Sequence, residues 1–247
     1  KNTQLLRLDF GILILHFVLT SVFLVLPLAL QNDLGIDASH HWQVYMPVFG
    51  FSLVLMVPFI IIAERKQAMK PVFVGAIFAM MIGCMLLLLN LTGGASLWFM
   101  IAALVVFFAG INLLEASLPS LISKTAPATQ KGTAMGVYSS SQFFGAFAGG
   151  SLGGLAHQYW DVPGVFYTVL LALGLWLLLA LTMKKPGVLS TYLLNVNQVS
   201  VEQLLAVEGV VEATLIDDEK ESGQVAYLKV KKRILDEEKL LSLAASD

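Results

Sequence analysis

Few side chains in the first 190 residues could do chemistry. His16, Asn112, Glu115, Tyr138 and Gln142 lie inside long apolar runs, and Glu64 and Arg65 stand at the end of one. An imidazole, a carboxylate, a phenol and two carboxamides can share hydrogen bonds, carry a proton or hold a polar ligand. They do not form a catalytic set, because no nucleophile has a base and an orienting group at a recognisable spacing. Cys84 is the only cysteine and lies in an apolar run, so no disulfide or Cys/His metal cluster can form within the chain. Neither a metal nor a cofactor is expected, and an enzyme is the least favoured class.

The elements that must position these groups follow from composition. Hydrophobic residues make up 57% of the chain and charged residues 13%, and mean hydropathy is +0.79. Soluble domains carry about a quarter charged residues. The charge is also unevenly spread, basic in excess over residues 1–189 and acidic in excess over 190–247. Lipid is implied as the solvent of the first part and water as that of the second. The net charge of −2 gives no reason to expect nucleic acid as a partner.

A membrane-crossing helix needs about 20 mostly apolar residues. Six stretches qualify, over residues 9–31, 42–63, 71–91, 96–118, 132–155 and 164–183. Lys1, Arg7, Arg65, Lys66, Lys70, Lys124, Lys131, Lys184 and Lys185 all fall in loops on one side, and the opposite loops hold no Lys or Arg. By the positive-inside rule both ends of the chain face the cytoplasm. The first residue is Lys, and no cleavable leader precedes the first apolar run, so the chain is read as part of something longer. Residues 1–187 are thus expected to be an all-α bundle of six transmembrane helices.

After Pro186-Gly187 the periodicity changes. Strands are expected at Leu189–Val196, Val210–Ile216 and Gln224–Val230, helices at Val201–Val207 and Leu235–Ala245, and a charged turn at Asp217–Gly223. The order β-α-β-β-α over 188–247 suggests a small α+β, ferredoxin-like soluble domain lacking its last strand. Ferredoxin-like metal carriers place Cys-x-x-Cys after the first strand, where this chain has Asn197-Gln198-Val199-Ser200. A ligand- or ion-sensing role for this tail, regulating the membrane part, stands as the alternative reading.

Counted from the cytoplasmic ends of their spans, His16, Asn112, Tyr138 and Gln142 fall in one polar layer. Polar groups at membrane depth need partners or water. Spans 1, 4 and 5 are therefore expected to line a cavity, with spans 3 and 6 facing lipid. The rival reading is interhelical hydrogen bonding that only holds the bundle together, and a lone His is more often structural than a proton carrier. Glu115 demands a cation, and Arg65 or Lys66, with Glu64 joining, are the expected partners. Gly145, Gly149, Gly150, Gly153 and Gly154 permit close helix packing, used either statically or as a hinge.

The stretch Asn112-Leu-Leu-Glu115-Ala-Ser-Leu-Pro119-Ser-Leu-Ile-Ser-Lys124 resembles the major facilitator superfamily, and within it the drug:proton antiporter type. So does Lys131-Gly-Thr-Ala-Met-Gly136-Val-Tyr138-Ser-Ser-Ser-Gln142-Phe, running on to Gly149-Gly-Ser-Leu-Gly-Gly154. The resemblance covers the whole chain, including a ferredoxin-like tail of the YAM type. It implies the C-terminal half of a twelve-helix transporter of the bacterial inner membrane, whose partners are the lipid bilayer, a small-molecule substrate and a missing N-terminal six-helix half. It implies proton-coupled efflux of small organic compounds by alternating access, with the first, second, fourth and fifth spans lining the path. The family's loop motif, Gly-x-x-x-Asp-Arg-x-Gly-Arg-Lys, falls at Ala63-Glu64-Arg65-Lys66-Gln67-Ala68-Met69-Lys70. There the acid and first base match in kind, while the glycine and inner arginine do not. A cytoplasmic gate of Glu64, Arg65 and Glu115 is the corresponding expectation. The topology is checked with reporters: one fused after Lys185 should behave as cytoplasmic, one inserted near His40–His41 as external, and the reverse pattern refutes it.

Overall fold

The computed structural model describes residues 2–183, 190–196, 199–217, 224–231 and 234–245. Lys184–Lys185, the Pro186-Gly187 break, Leu189, Asn197-Gln198 and most of the charged turn (218–223) lie outside the described residues. The chain divides into two units, Lys1–Thr125 with Thr133–Lys185, and Ala126–Gly132 with Pro186–Asp247.

In the first unit, five helices are long and apolar enough to cross a membrane. They are α1 (Thr3–Asn32), α2 (Trp42–Arg65), α3 (Met69–Thr92), α4 (Leu97–Thr125) and α5 (Lys131–Leu181). A straight helix as long as α5 would run about 75 Å, far more than the roughly 30 Å of a bilayer core. It is in fact broken: Trp160 has φ −135° and ψ 15°, and Asp161 has φ 55°. The left-handed backbone at Asp161 is stabilised locally, since its carboxylate accepts from the Val162 amide at 2.9 Å and lies 3.5 Å from His157. Pro163 then sits near the start of the second limb, where a missing N–H costs nothing.

The break reverses the chain. On the first limb, a Cβ at Gly145 would run into the Leu13 carbonyl of α1, and on the second limb Trp176 packs 3.0 Å from where a Gly11 Cβ would stand. Residues 145 and 176 thus meet the same turn of α1, although a continuous helix would hold them about 46 Å apart. The two limbs supply the fifth and sixth crossings, so the first unit is an all-α bundle of six membrane segments.

Small residues set the helix spacing. A Cβ at Gly149 would strike the Phe17 carbonyl, and one at Gly153 would come to 3.0 Å from the Ser21 hydroxyl. Gly150 is only in ordinary contact with Thr20, and Gly154 meets nothing within 4 Å. The α3–α4 pair repeats the device in both directions: a Cβ at Gly83 would fall 2.7 Å from Phe107, and one at Gly110 would fall 2.7 Å from the Ala76 carbonyl. The core between the helices holds Phe107, Phe166, Trp176, Ile77 and Met80, all nearly inaccessible. The outward stripes of α3 (Phe78, Ile82, Met85, Leu89) and of the second α5 limb (Tyr167, Leu171, Leu175, Leu178) carry large apolar side chains.

The second unit contains β1 (Ser190–Val196), α6 (Val201–Leu205), β2 (Val210–Asp217), β3 (Gln224–Val230) and α7 (Glu237–Ala245). The sheet order is β1-β3-β2, with both pairings antiparallel. This is the β-α-β-β-α arrangement of a ferredoxin-like fold without its last strand. Ser200 and Gln203 close a reciprocal capping box at the start of α6. Val196, Leu204, Val207, Ala226, Leu228, Val230 and Leu240 form the core. Lys229 is buried, with its amine donating to the Ala126 carbonyl and lying 3.3 Å from Glu212.

The glycine contacts separate two substitutions that the sequence cannot rank. Gly145→Val should cost about 1–3 kcal/mol of stability by forcing α5 off α1, whereas Gly154→Ala should stay within about 0.5 kcal/mol. Unfolding of the two variants in mixed micelles by SDS titration measures the difference.

Candidate functional site

His16 on α1, Glu115 on α4 and Gln142 on the first limb of α5 converge on one atom. The Nε2 of His16 lies 3.3 Å from a Glu115 carboxylate oxygen and 2.8 Å from the Gln142 side-chain amide. The approach is possible because Gln142 lies one turn before Gly145, where the α1 and α5 backbones come closest. A neutral imidazole has one nitrogen that accepts and one that donates. Protonated at Nε2, His16 donates to Glu115; deprotonated there, it accepts from the Gln142 amide. One nitrogen therefore ties α1 to α4 in one proton state and to α5 in the other. Its Nδ1 is buried without a hydrogen-bond partner among the described residues. Tyr138, buried and one turn before Gln142, lies within electrostatic reach of Glu115.

Asn112, one turn before Glu115, points elsewhere. Its amide donates to the Ser52 hydroxyl on α2 at 2.9 Å, and Ser52 donates to the Phe49 carbonyl at 2.8 Å. The expected polar layer is thus two connected groups, one joining α1, α4 and α5 and the other joining α4 and α2. Ser21 adds a third α1–α5 link by donating to the Gly149 carbonyl at 3.0 Å.

Above Glu115 and Asn112 opens a cavity of about 640 Å³, walled by Leu19 and Phe23 of α1, Tyr45, Met46 and Phe49 of α2, and Phe108 and Ile111 of α4. The polar layer by itself points to spans 1, 4 and 5 as the lining; the third wall of this cavity is α2, one of the four spans that the family resemblance implies. Gly145 and Gly149 draw α5 onto α1, while α2 turns Tyr45 and Phe49 toward the cavity. Phe23, Tyr45, Phe49 and Phe108 form a cluster with ring centroids 5.9–6.2 Å apart. Tyr45 was not singled out from the sequence; its spacing from Phe49 and Ser52 along one helix face was the available signal. Its hydroxyl is buried with no partner among the described residues.

The expected charge network is not assembled. Glu115 pairs with His16, not with Arg65 or Lys66. Glu64 and Arg65 are exposed at the end of α2 and make no ion pair or side-chain hydrogen bond among the described residues. The physical reason is depth. Glu115 is three helical turns from the end of α4, where a histidine at the same level on α1 is nearer than a loop at the membrane edge. Two other basic residues serve the end of α5: Lys70 donates to the Leu181 carbonyl at 2.7 Å and Arg7 to the Thr182 carbonyl at 2.8 Å. Cations at a helix C-terminus satisfy its last carbonyls and complement its dipole.

An apolar helical bundle of this kind, with a small polar cluster buried beside an open aromatic cavity, defines a polytopic membrane protein. The chain matches the Major Facilitator Superfamily over residues 8–199 and belongs to that family. It is 39% identical to the Escherichia coli inner membrane transport protein YajR, over 94% of this chain and 50% of that protein. It is also 28% identical to an uncharacterized transporter of Buchnera aphidicola, over 60% of this chain and 37% of that protein. To the uncharacterized MFS-type transporter YvkA of Bacillus subtilis it is 25% identical, over 68% of this chain and 38% of that protein. The chain therefore spans half the length of YajR and less of the other two.

Ser52→Ala tests the α2–α4 link. Removing the hydroxyl leaves the Asn112 amide without its acceptor, and about 1 kcal/mol of stability should be lost, the scale of an interhelical hydrogen bond in a membrane. Asn112→Leu should cost no more than Ser52→Ala in the same SDS titration, because both partners of the bond are then dispensable.

Proposed function

We propose that this chain is the C-terminal six-helix half of a secondary transporter that exports small organic compounds in exchange for protons. The observation that carries the reading is the sharing of His16 Nε2 between Glu115 and Gln142 next to the aromatic cavity. A proton arriving at Nε2 replaces the bond to Gln142 by one to Glu115, and its loss does the reverse. Because the three residues stand on three helices, the switch changes which helix α1 is held to. Alternating access requires such a two-state element, biased by the coupling ion.

The cavity complements this role. Four aromatic rings offer an apolar surface, while Glu115, Asn112 and the Tyr45 hydroxyl offer polar groups that fix orientation. Large apolar side chains stand outward on α2 (Met46, Phe51, Val54) and on the first limb of α5 (Phe143, Phe144, Phe147). An N-terminal half of the same transporter would cover these faces. The cell membrane is the proposed location, with both ends of this chain cytoplasmic on the charge asymmetry of the loops. No covalent step is needed, since the work is binding and movement.

Proteoliposomes of the whole transporter test the reading. A pH gradient should drive uphill movement of at least one compound from a panel of small organic molecules, ethidium included. Glu115→Gln should reduce that rate about tenfold or more, the scale of a coupling free energy of 1–3 kcal/mol, with helix content unchanged. A cysteine at Tyr138, introduced after Cys84→Ser, should change its labelling by a membrane-impermeant thiol reagent in the same variant. Transport indifferent to pH, or unchanged labelling with unchanged transport, overturns proton coupling through this cluster.

A further inference from the structure

A second concavity lies on a different face of α2. Leu55, Phe59 and Ile62 form one wall, and Gly75 and Ala79 of α3 with Ala109 of α4 form much of the floor, enclosing about 480 Å³. No polar side chain lines it. The floor is deep because its residues are small: a Cβ at Gly75 would meet nothing within 4 Å. The wall residues remain well exposed, Phe59 at 46% and Leu55 at 42%. Water in such a groove would lack hydrogen-bond partners, so an apolar occupant is favoured.

One end of the groove is charged. Ile62 and Ala68 line it there, and between them lie Arg65, one turn beyond Ile62 and the last residue of α2, and Lys66, its C-cap. Both are exposed and make no ion pair or hydrogen bond through their side chains among the described residues. Gln67, with φ 51°, turns the chain between Lys66 and the groove residue Ala68. Lys70 does not join them, because its amine is held by the Leu181 carbonyl. A guanidinium and an ammonium at the membrane edge match a phosphate, the former through paired N–H donors.

We propose that this groove is a binding site for an anionic phospholipid, with one acyl chain along Leu55, Phe59 and Ile62 and the phosphate headgroup on Arg65 and Lys66. Apolar lining alone would take any lipid, and the two cations select the charge. The site shares no lining residue with the aromatic cavity, and it stands whether or not the chain moves protons.

Native mass spectrometry of the detergent-purified full-length protein, titrated with phosphatidylglycerol or phosphatidylcholine, tests the assignment. Phosphatidylglycerol should bind more tightly, and the double variant Arg65→Gln, Lys66→Gln should weaken it about thirtyfold, the combined scale of two basic residues at a membrane surface, leaving phosphatidylcholine unaffected. Gly75→Leu, which fills open space and should keep the helix content, should abolish the tight binding of phosphatidylglycerol. Equal binding of the two lipids by the wild type, or undiminished phosphatidylglycerol binding in either variant, overturns the proposal. So does displacement of the lipid by inorganic phosphate alone, which would mean an anion site without a chain site. A dimer mass in place of bound lipid would assign the groove to a second copy and overturn it as well.

Discussion

Lipid gives two apolar helices little reason to prefer each other over hydrocarbon, so close backbone contact must hold the bundle together. In this chain the decisive contact is between α5 and α1. Where Gly145 and Gly149 face the Leu13 and Phe17 carbonyls, there is no room for even a methyl group. That approach brings Gln142 within 2.8 Å of His16 and lets Ser21 donate to the Gly149 carbonyl. With α5 a few ångströms further out, both bonds would be lost. The shared imidazole is therefore a consequence of glycine placement as much as of its own chemistry.

The α4 helix distributes what α1 and α5 bring together. Asn112 and Glu115 are three residues apart, so they project from neighbouring but distinct positions on one side of the helix. Asn112 reaches α2 through Ser52, and Glu115 reaches α1 through His16. The aromatic cavity opens in the space between these two links. On its other side α4 is locked to α3 through Gly83 and Gly110. Helix α4 is thus tightly held to α3 and, among the described residues, tied to α2 by one side-chain hydrogen bond.

The basic residues at the membrane edge are put to different uses. Arg7 and Lys70 hold the last carbonyls of α5, while Arg65 and Lys66 stay exposed beside an apolar groove. Basic residues at the same end of the bundle can therefore cap one helix or stay exposed at the end of another. Arg65, Lys66 and Lys70 lie together at the α2–α3 junction, which obscures this division in the sequence, because charge counts do not say which carbonyl a long side chain reaches.

The sequence by itself determined what depends on local composition. Runs of about 20 apolar residues announce membrane crossings because the bilayer core has a fixed thickness. The gap between the apolar stretches 132–155 and 164–183 marks the reversal that the structure places at Trp160–Asp161, and the tail's β-α-β-β-α order follows from its periodicity. The identities of the polar residues at membrane depth were legible too, since such groups stand out against an apolar background. Their pairing was not. Glu115 pairs with His16 rather than Arg65, and Asn112 with Ser52. Each outcome depends on how far one helix is rotated and raised against another. A 3.6-residue period leaves those two quantities open, and only the packing of glycine against carbonyl in the tertiary structure decides them.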